Sequence, residues 1–493
     1  MPISTRISRG ASIGIIVWLI AGSLLSGRIS VSFASPATTR GGEFNSASIV
    51  DQLRATMNGG ALFKPPFDQE IIVPTCLVET TGDNLTDYAS SDASARTFAA
   101  ACFGELIAMF PSSGGVYEFT KQAYGRFPSF LVGWASWIVS NVGSAVLVVA
   151  ALEFILPGSG TVQLGFLEIT RGMVKVIAAV SLILIFNYVT YRGIEASGFI
   201  LIVFAAMVLI LLVATIVPGF SRFDPANVLL VGTAPIGMIL VTVFFLVESF
   251  FGWESASFLA EETQDPTKTI PRALVWASAS VAILGVLLAF VIIGAYPTSE
   301  LVNDSNPVLS LISDILPQAS GVFVLGVFLA FIAGVISNVV SSPRLLFALA
   351  RDRLFVDQAT KLHPVHKSPV NAIIFQTVVT IALVLFAFGE YLFLVSVLVP
   401  IALVMYAVVL FSVAHLRRSK PNHLRPFKVW GGTWLPQIVA VFYLCVVIGY
   451  FVFTPGSTTV LLLISGFFML AVPVYWFVTM AYNPDAVSYT HLT

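Results

Sequence analysis

Charge is scarce in this sequence. Asp, Glu, Lys and Arg make up only 10% of its 493 residues, while 57% are hydrophobic. Soluble domains carry about 25% charged residues, so no soluble fold of this size hides so much apolar sequence. The formal net charge of −1 leaves no basic field for nucleic acid and no acidic tail. Cysteine is rarer still. Cys76, Cys102 and Cys445 are far apart and form no CxxC pair, which argues against a disulfide framework and a zinc site. Cys102 and Cys445 sit in apolar runs and read as small core hydrophobes. The chain lacks a nucleotide-binding loop, an HExxH helix and a Ser/His/Asp cluster at membrane depth, so neither an enzyme nor a bound cofactor is expected. His363, His366, His415 and His423 lie in or near loops at spacings that make no metal site, and read as solvated.

What the chain has instead is long apolar runs. A helix needs about 20 apolar residues to cross the hydrocarbon core. Ten segments meet this, at 127–156, 172–191, 195–217, 234–260, 271–296, 319–349, 370–388, 391–416, 433–453 and 457–480. Stretches such as 201–213 show no apolar–polar alternation, which excludes an outer-membrane barrel. If the loops alternate sides from residue 111 onward, one side collects Lys121, Arg126, Arg192, Lys268, Arg272, Arg344, Arg351, Arg353, Lys361, Lys367, Arg417, Arg418, Lys420, Arg425 and Lys428. The other collects Arg171, Lys175 and Arg222. The basic side is cytoplasmic by the positive-inside rule.

The front end is atypical. Residues 11–27 are apolar, 28–96 are polar without periodicity, and 97–110 are apolar but too short to cross, since 14 helical residues rise about 21 Å. Two readings stay open. Residues 11–27 form a signal peptide with Arg6 and Arg9 ahead of the apolar stretch. Alternatively, 11–27 and 98–110 are two halves of one helix, interrupted by 28–97. That interruption is a non-native stretch or an extramembrane insert, and the second reading fits the helix length better. Residues 98–480 form the transmembrane bundle. Residues 481–493 are a tail, of which 486–493 resembles translated adapter sequence.

Four stretches carry a family resemblance. The first runs from Phe103-Gly104-Glu105 to Pro111-Ser112-Ser113-Gly114-Gly115-Val116-Tyr117. The second runs from Phe250-Phe251-Gly252-Trp253-Glu254-Ser255 to Glu261-Glu262-Thr263-Gln264-Asp265-Pro266. The third joins Ser342-Pro343-Arg344 to Arg351-Asp352 and His363-Pro364, and the fourth is Arg425-Pro426-Phe427-Lys428. In this order and on this span count, the chain resembles the amino acid–polyamine–organocation permeases.

The resemblance implies an all-α polytopic membrane protein with a LeuT-like bundle of two inverted repeats. It also implies a first transmembrane helix that this chain lacks in proper form. Broken helices in such folds present free N–H groups to a carboxylate and free carbonyls to an ammonium. Gly252 supplies a break here, and Phe250, Phe251 and Trp253 stand beside it as candidate gating or stacking residues; ordinary helix packing is the alternative for the glycine. Glu254 either carries a proton or braces the break by hydrogen bonds. Glu248 either faces an amine-bearing substrate or pairs with a hydroxyl of a neighbouring helix. Glu105 reads as structural, and Glu153 as reaching water at the outer end of its span. Asn141 borders the substrate or makes a helix–helix hydrogen bond. Ser337, Asn338, Ser341 and Ser342 complete a sodium site or serve as packing contacts. The acidic run at 261–265 and the Arg351-Asp352-Arg353 run are expected to form cytoplasmic salt links that latch a gate, or a solvated face.

The expected activity is secondary active transport of amino acids by alternating access, coupled to H+ or Na+ or working by exchange. The partners are then a small amino acid or amine and the surrounding membrane lipid. A polyamine or organic-amine carrier, a non-transporting amino-acid sensor and an inactive relative are the competing readings.

Overall fold

A computed structural model describes residues 98–156, 160–164, 167–192, 195–228, 235–248, 251–301, 304, 306–366, 368–387 and 390–482. All lie in one compact unit that runs from residue 66 to the C-terminus. The expectations placed on residues 1–97, on Phe250 and on the tail from 483 fall outside the described residues.

Each of the ten expected spans is built of helix, the span at 234–260 of two helices with a break between them. In chain order the described α-helices of more than one turn are α1 (Phe98–Met109), α2 (Val116–Tyr124), α3 (Arg126–Ile155), α4 (Arg171–Arg192), α5 (Glu195–Gly219), α6 (Ile236–Val247), α7 (Trp253–Phe258), α8 (Pro266–Ala295), α9 (Pro307–Ile315), α10 (Ser320–Arg351), α11 (Val370–Phe386), α12 (Tyr391–Ser419), α13 (Trp434–Phe453) and α14 (Thr458–Tyr482). Eight helices among the described residues are long and apolar enough to cross a membrane; α1, α6 and α11 are shorter apolar helices. The multi-pass membrane character drawn from composition thus has a structural counterpart. A small antiparallel hairpin departs from the all-helical expectation. Its strands, β1 (Thr161–Leu164) and β2 (Leu167–Thr170), pair Thr161 with Thr170 in the outer loop between α3 and α4. Outside the hydrocarbon, strand pairing satisfies backbone groups in a segment too short and too rich in glycine for a helix.

Burial sorts the helices. The apolar windows of α3 and α12 are 72% buried within the protein, and those of α5 and α14 only 17%. The first pair therefore forms the axis of the bundle, and α10 packs against α3 along it. The peripheral helices leave large apolar side chains such as Ile202, Ile210 and Val322 in the open. On a soluble protein such a surface would be an interaction patch; here it is the lipid face. Cys445 belongs to that face rather than to the core, because it is exposed on α13, whereas Cys102 is buried in α1 as expected.

A proline in the axis shows how backbone groups are satisfied at membrane depth. Pro343 inside α10 has no N–H, so the carbonyl of Val339 loses its intrahelical donor. The Gln376 side-chain amide on α11 donates to that carbonyl at 3.3 Å, and Ser342 Oγ donates to the Gln376 carbonyl oxygen. The Arg344 guanidinium turns back to donate to Val340 O. Irregular backbone in a bilayer persists only where protein groups re-satisfy it.

The polar pairs test the grouping of the loops into two sides independently. Glu105 pairs with Arg417 and Arg425, Asp352 with Lys121, and Glu261 with Arg351. All of these stand at the side assigned to the cytoplasm. Arg222 pairs with Asp314, and Lys175 with Glu153, all at the opposite end. Each of these pairs joins residues of one side, as the charge count requires.

Candidate functional site

The span expected at 234–260 is interrupted. Helix α6 ends at Val247 and α7 begins at Trp253, with Gly252 capping α7 at φ 119°. That left-handed conformation favours glycine because a Cβ would meet the following carbonyl. Among the described residues of this stretch, Phe251 N–H turns back to Glu248 O at 3.1 Å and Ser255 N–H to Gly252 O at 3.1 Å.

Glu254 holds the break in place. Its carboxylate is 2% exposed. Oε2 accepts Gly252 N–H at 3.2 Å and the Tyr406 hydroxyl from the middle of α12. Tyr406 Oη also lies 3.4 Å from Gly252 N. A buried carboxylate, a phenol and a backbone N–H thus meet at one point. Aromatic rings surround it. Trp253 stacks on Tyr406 with centroids 5.4 Å apart, Phe251 meets Tyr406 edge-on at 5.5 Å, and Phe103 of α1 meets it edge-on at 5.2 Å. From α7, Ser255 Oγ donates to Asn338 Oδ1 on α10 at 3.4 Å.

The other sequence candidates separate from this cluster. Asn141 on α3 accepts from Thr380 on α11 at 2.8 Å and donates to Trp137 O, so it makes the helix–helix bond of its second reading. Glu248 accepts from the Tyr391 hydroxyl at 3.0 Å, again the pairing alternative. Ser341 Oγ donates to Asn338 O at 3.3 Å, and Ser342 is engaged by Gln376. Those serine hydroxyls are committed within and between helices. Sequence reasoning missed Tyr406, Tyr391, Thr380 and Gln376. A lone polar residue in an apolar helix is a signal, but its partner emerges only when the helices pack.

Residues of all four motifs, distant in sequence, converge at the cytoplasmic rim, although the second begins at the mid-span break. The second glycine of the Gly114-Gly115 pair has φ 49°, and a Cβ there would lie 2.1 Å from Ser257 Oγ. Glycine alone lets the loop ahead of α2 approach the end of α7. That approach brings Ser113 N–H onto Glu261 Oε1 at 3.0 Å, while Arg351 donates to the same carboxylate at 3.2 Å. Next to it, Asp352 accepts from Lys121 and, at 2.7 Å, from the Tyr117 hydroxyl; Arg126 donates to its backbone carbonyl at 3.2 Å. Burial alone would raise both carboxyls. The hydrogen bonds outweigh it and hold Asp352 and Glu261 below the usual carboxylate range, through Lys121 and Tyr117 for the first and Arg351 and Ser113 for the second.

The Arg-Pro-Phe-Lys motif closes the same end. Glu105 is fully buried in α1 and takes a two-pronged bond from Arg417, with Nε at 2.9 Å. Val429 N–H donates to it at 2.9 Å, and Arg425 stands 3.7 Å away. Arg425 itself caps the carbonyls of Leu416 and Lys420 at 2.9 and 3.0 Å, which terminates α12. Glu105 is therefore structural, as its sequence position implied. Of the salt links expected from the acidic run at 261–265 and the Arg351-Asp352-Arg353 run, Arg351–Glu261 joins the two, while Asp352 pairs with Lys121 of α2. Glu153 is half-exposed at the outer end, beside Lys175.

The sequence model described as "Amino acid permease" matches residues 94–479, most of the chain. The branched-chain amino acid permease BcaP of Bacillus subtilis is 26% identical over 385 residues, covering 75% of this chain and 81% of its own. The serine/threonine exchanger SteT of Bacillus subtilis is 24% identical over 381 residues, covering 76% and 83%. The b(0,+)-type amino acid transporter 1 of Mus musculus is 23% identical over 433 residues, covering 85% of each chain. With its motifs gathered at one end and its mid-span break, the chain belongs to the amino acid permease family of multi-pass membrane transporters, not to an enzyme family.

Proposed function

We propose that this chain is a secondary carrier that moves an amino acid across the cell membrane by alternating access, with the α6–α7 break as its substrate-facing element and a LeuT-like inverted-repeat bundle as its frame. The observation that carries the reading is the break itself: a left-handed Gly252 at mid-span, braced by Glu254 and Tyr406 and ringed by Trp253, Phe251 and Phe103. Backbone polar groups released by such a break suit the paired charges of an α-amino acid. An aromatic surround suits an uncharged side chain, and the relatives named for branched-chain amino acids and for serine and threonine agree with that class.

Glu254 is the proposed coupling group. As a carboxylate it accepts from both Gly252 and Tyr406. Protonation removes one acceptor site, loosens the break and links substrate movement to H+. In this reading the salt links at Glu261 and Asp352 hold the cytoplasmic path shut and part when the carrier opens inward. The pairing of Glu248 with Tyr391 makes an amine-selective pocket the weaker reading.

The test is counterflow in proteoliposomes. Neutral amino acids should exchange, putrescine should not compete, and Glu254→Gln should retain exchange while losing its pH dependence. Unchanged pH dependence in that variant sinks the proton role. Substrate binding without any counterflow makes the protein a sensor instead of a carrier.

A further inference from the structure

A cavity of about 300 Å³ opens at the cytoplasmic end, between α2, α12 and α13. It is lined by Tyr124, Val408, Phe411, His415, Arg418 and Gln437. Four of these follow one another on α12 at spacings of three, four and three residues, so they occupy one face of the helix. The face is graded. Val408 and Phe411 lie toward the membrane interior, and His415 and Arg418 lie one and two turns nearer the cytoplasm. Both basic side chains are exposed. Arg418 reaches Gln437 Oε1 only at 3.5 Å, so most of its five donors face the cavity or water. Trp434, at the start of α13, and Trp430 just before it are 72% and 62% exposed. Exposed tryptophans mark the depth of the lipid headgroups.

We propose that this groove binds an anionic phospholipid of the cytoplasmic leaflet, with the headgroup phosphate on Arg418 and His415 and the upper acyl chain along Phe411 and Val408. The apolar-to-basic gradient runs along the membrane normal in the same sense as the lipid itself. A soluble anion would use the basic end and leave the apolar floor bare. Basic pockets between helices on the cytoplasmic side are suited to acidic headgroups. The volume lies at the lower end of ligand pockets, about 300–1,000 Å³, which suits a phosphate with its glycerol while the chain tails stay in the bilayer. The inference rests on the orientation set by the charge count, not on the transport reading.

The test is native mass spectrometry of the full chain in a neutral detergent, supplied with phosphatidylglycerol or with phosphatidylcholine of identical chains. Phosphatidylglycerol adducts should be retained about fivefold to tenfold more, the effect expected of two nearby basic groups. His415→Gln with Arg418→Gln should bring retention down to the phosphatidylcholine level, while Lys361→Gln, in the exposed loop ahead of α11, leaves it unchanged. Equal retention of the two lipids overturns the proposal, as does retention that ignores the double substitution. Displacement of the lipid by millimolar inorganic phosphate would also overturn it, by making the groove a free-phosphate site. Headgroup preference is read on the unsubstituted protein, so a variant that fails to fold leaves that comparison decisive.

Discussion

The two ends of the bundle are built differently. At the cytoplasmic rim, charges pair between segments far apart in sequence over a range of exposure: Glu105 with Arg417 in the interior, Asp352 with Lys121 partly buried, Glu261 with Arg351 about as exposed as the outer pair. At the outer rim, Arg222 and Asp314 meet at 2.8 Å with both side chains more than 40% exposed. Lys175, itself buried, pairs there with the half-exposed Glu153, and apolar packing stands beside both pairs. Ile216, Val291 and Leu311 form a buried cluster joining α5, α8 and α9. Charge pairs fix geometry and can be undone by a proton or a competing ion, whereas apolar packing tolerates sliding. The most deeply buried charge pair, Glu105 with Arg417, is at the inner end, where most of the permease motif residues are found.

This contrast can be broken experimentally. The largest effect is expected from Arg417→Gln, which leaves the buried Glu105 carboxylate only Val429 N–H and the more distant Arg425. Removing one partner of a buried pair costs about 3–5 kcal/mol, so the thermal unfolding midpoint should drop sharply or folded protein be lost. A normal midpoint would show that Glu105 is not held by charge. Gly115→Val should follow, since its Cβ would collide with Ser257 Oγ from a left-handed backbone; such strain costs about 1–3 kcal/mol. Here the informative measurement is the melting curve beside that of Gly125→Val. Gly125 has φ 90° but nothing within 4 Å of its Cβ position, so it isolates backbone strain from collision.

Asp352→Asn should matter less for stability, under about 1 kcal/mol for a partly exposed pair, and more for access. A cysteine introduced at Ser113, with the native cysteines replaced, should react with a membrane-impermeant maleimide up to about fivefold faster from the cytoplasmic side. An unchanged rate would mean that Asp352 latches nothing. The same carboxyls give a pH prediction. Both titrate below the usual carboxylate value, about 4, so their contribution is complete above that value and disappears only as pH falls through the lowered folded-state values. Labelling of Ser113→Cys, corrected for maleimide chemistry, should stay flat from pH 5 to 8. Any pH dependence of transport in that window then originates elsewhere, with Glu254 the leading candidate. The smallest effect belongs to Arg222→Gln at the outer rim, within about 0.5 kcal/mol in the same melts. A larger loss would erase the contrast between the two ends.

Much of the fold was legible because a bilayer restricts the options. Length and apolarity identified the spans, and Lys and Arg placed their ends, since both follow from the cost of exposing polar groups to hydrocarbon. The break was legible from Gly252 within Phe-Phe-Gly-Trp-Glu. The tyrosine that braces it was not, because Tyr406 sits in an unbroken apolar helix 152 residues beyond Glu254, and no local pattern links them. Asn141, Glu248, Ser341 and Ser342 were recognisable as polar groups at membrane depth. Their partners depend on helix rotation, which sequence periodicity does not resolve in α12 or α3, apolar on nearly every face. His415 was read as solvated and Arg418 only as a cytoplasmic charge for the same reason: the second wall of their groove comes from α13.

The Glu105–Arg417 pair also has a consequence for the order of assembly. Its partners are 312 residues apart. At ribosomal rates of about 5–20 residues per second, roughly a quarter of a minute to a minute separates their synthesis. Throughout that interval α1 carries a carboxylate with no counter-ion from α12, so it cannot settle into its final place until nearly the whole chain has been made. A chain that stalls before α12 therefore lacks the arginine that the Glu105 carboxylate needs before it can be buried.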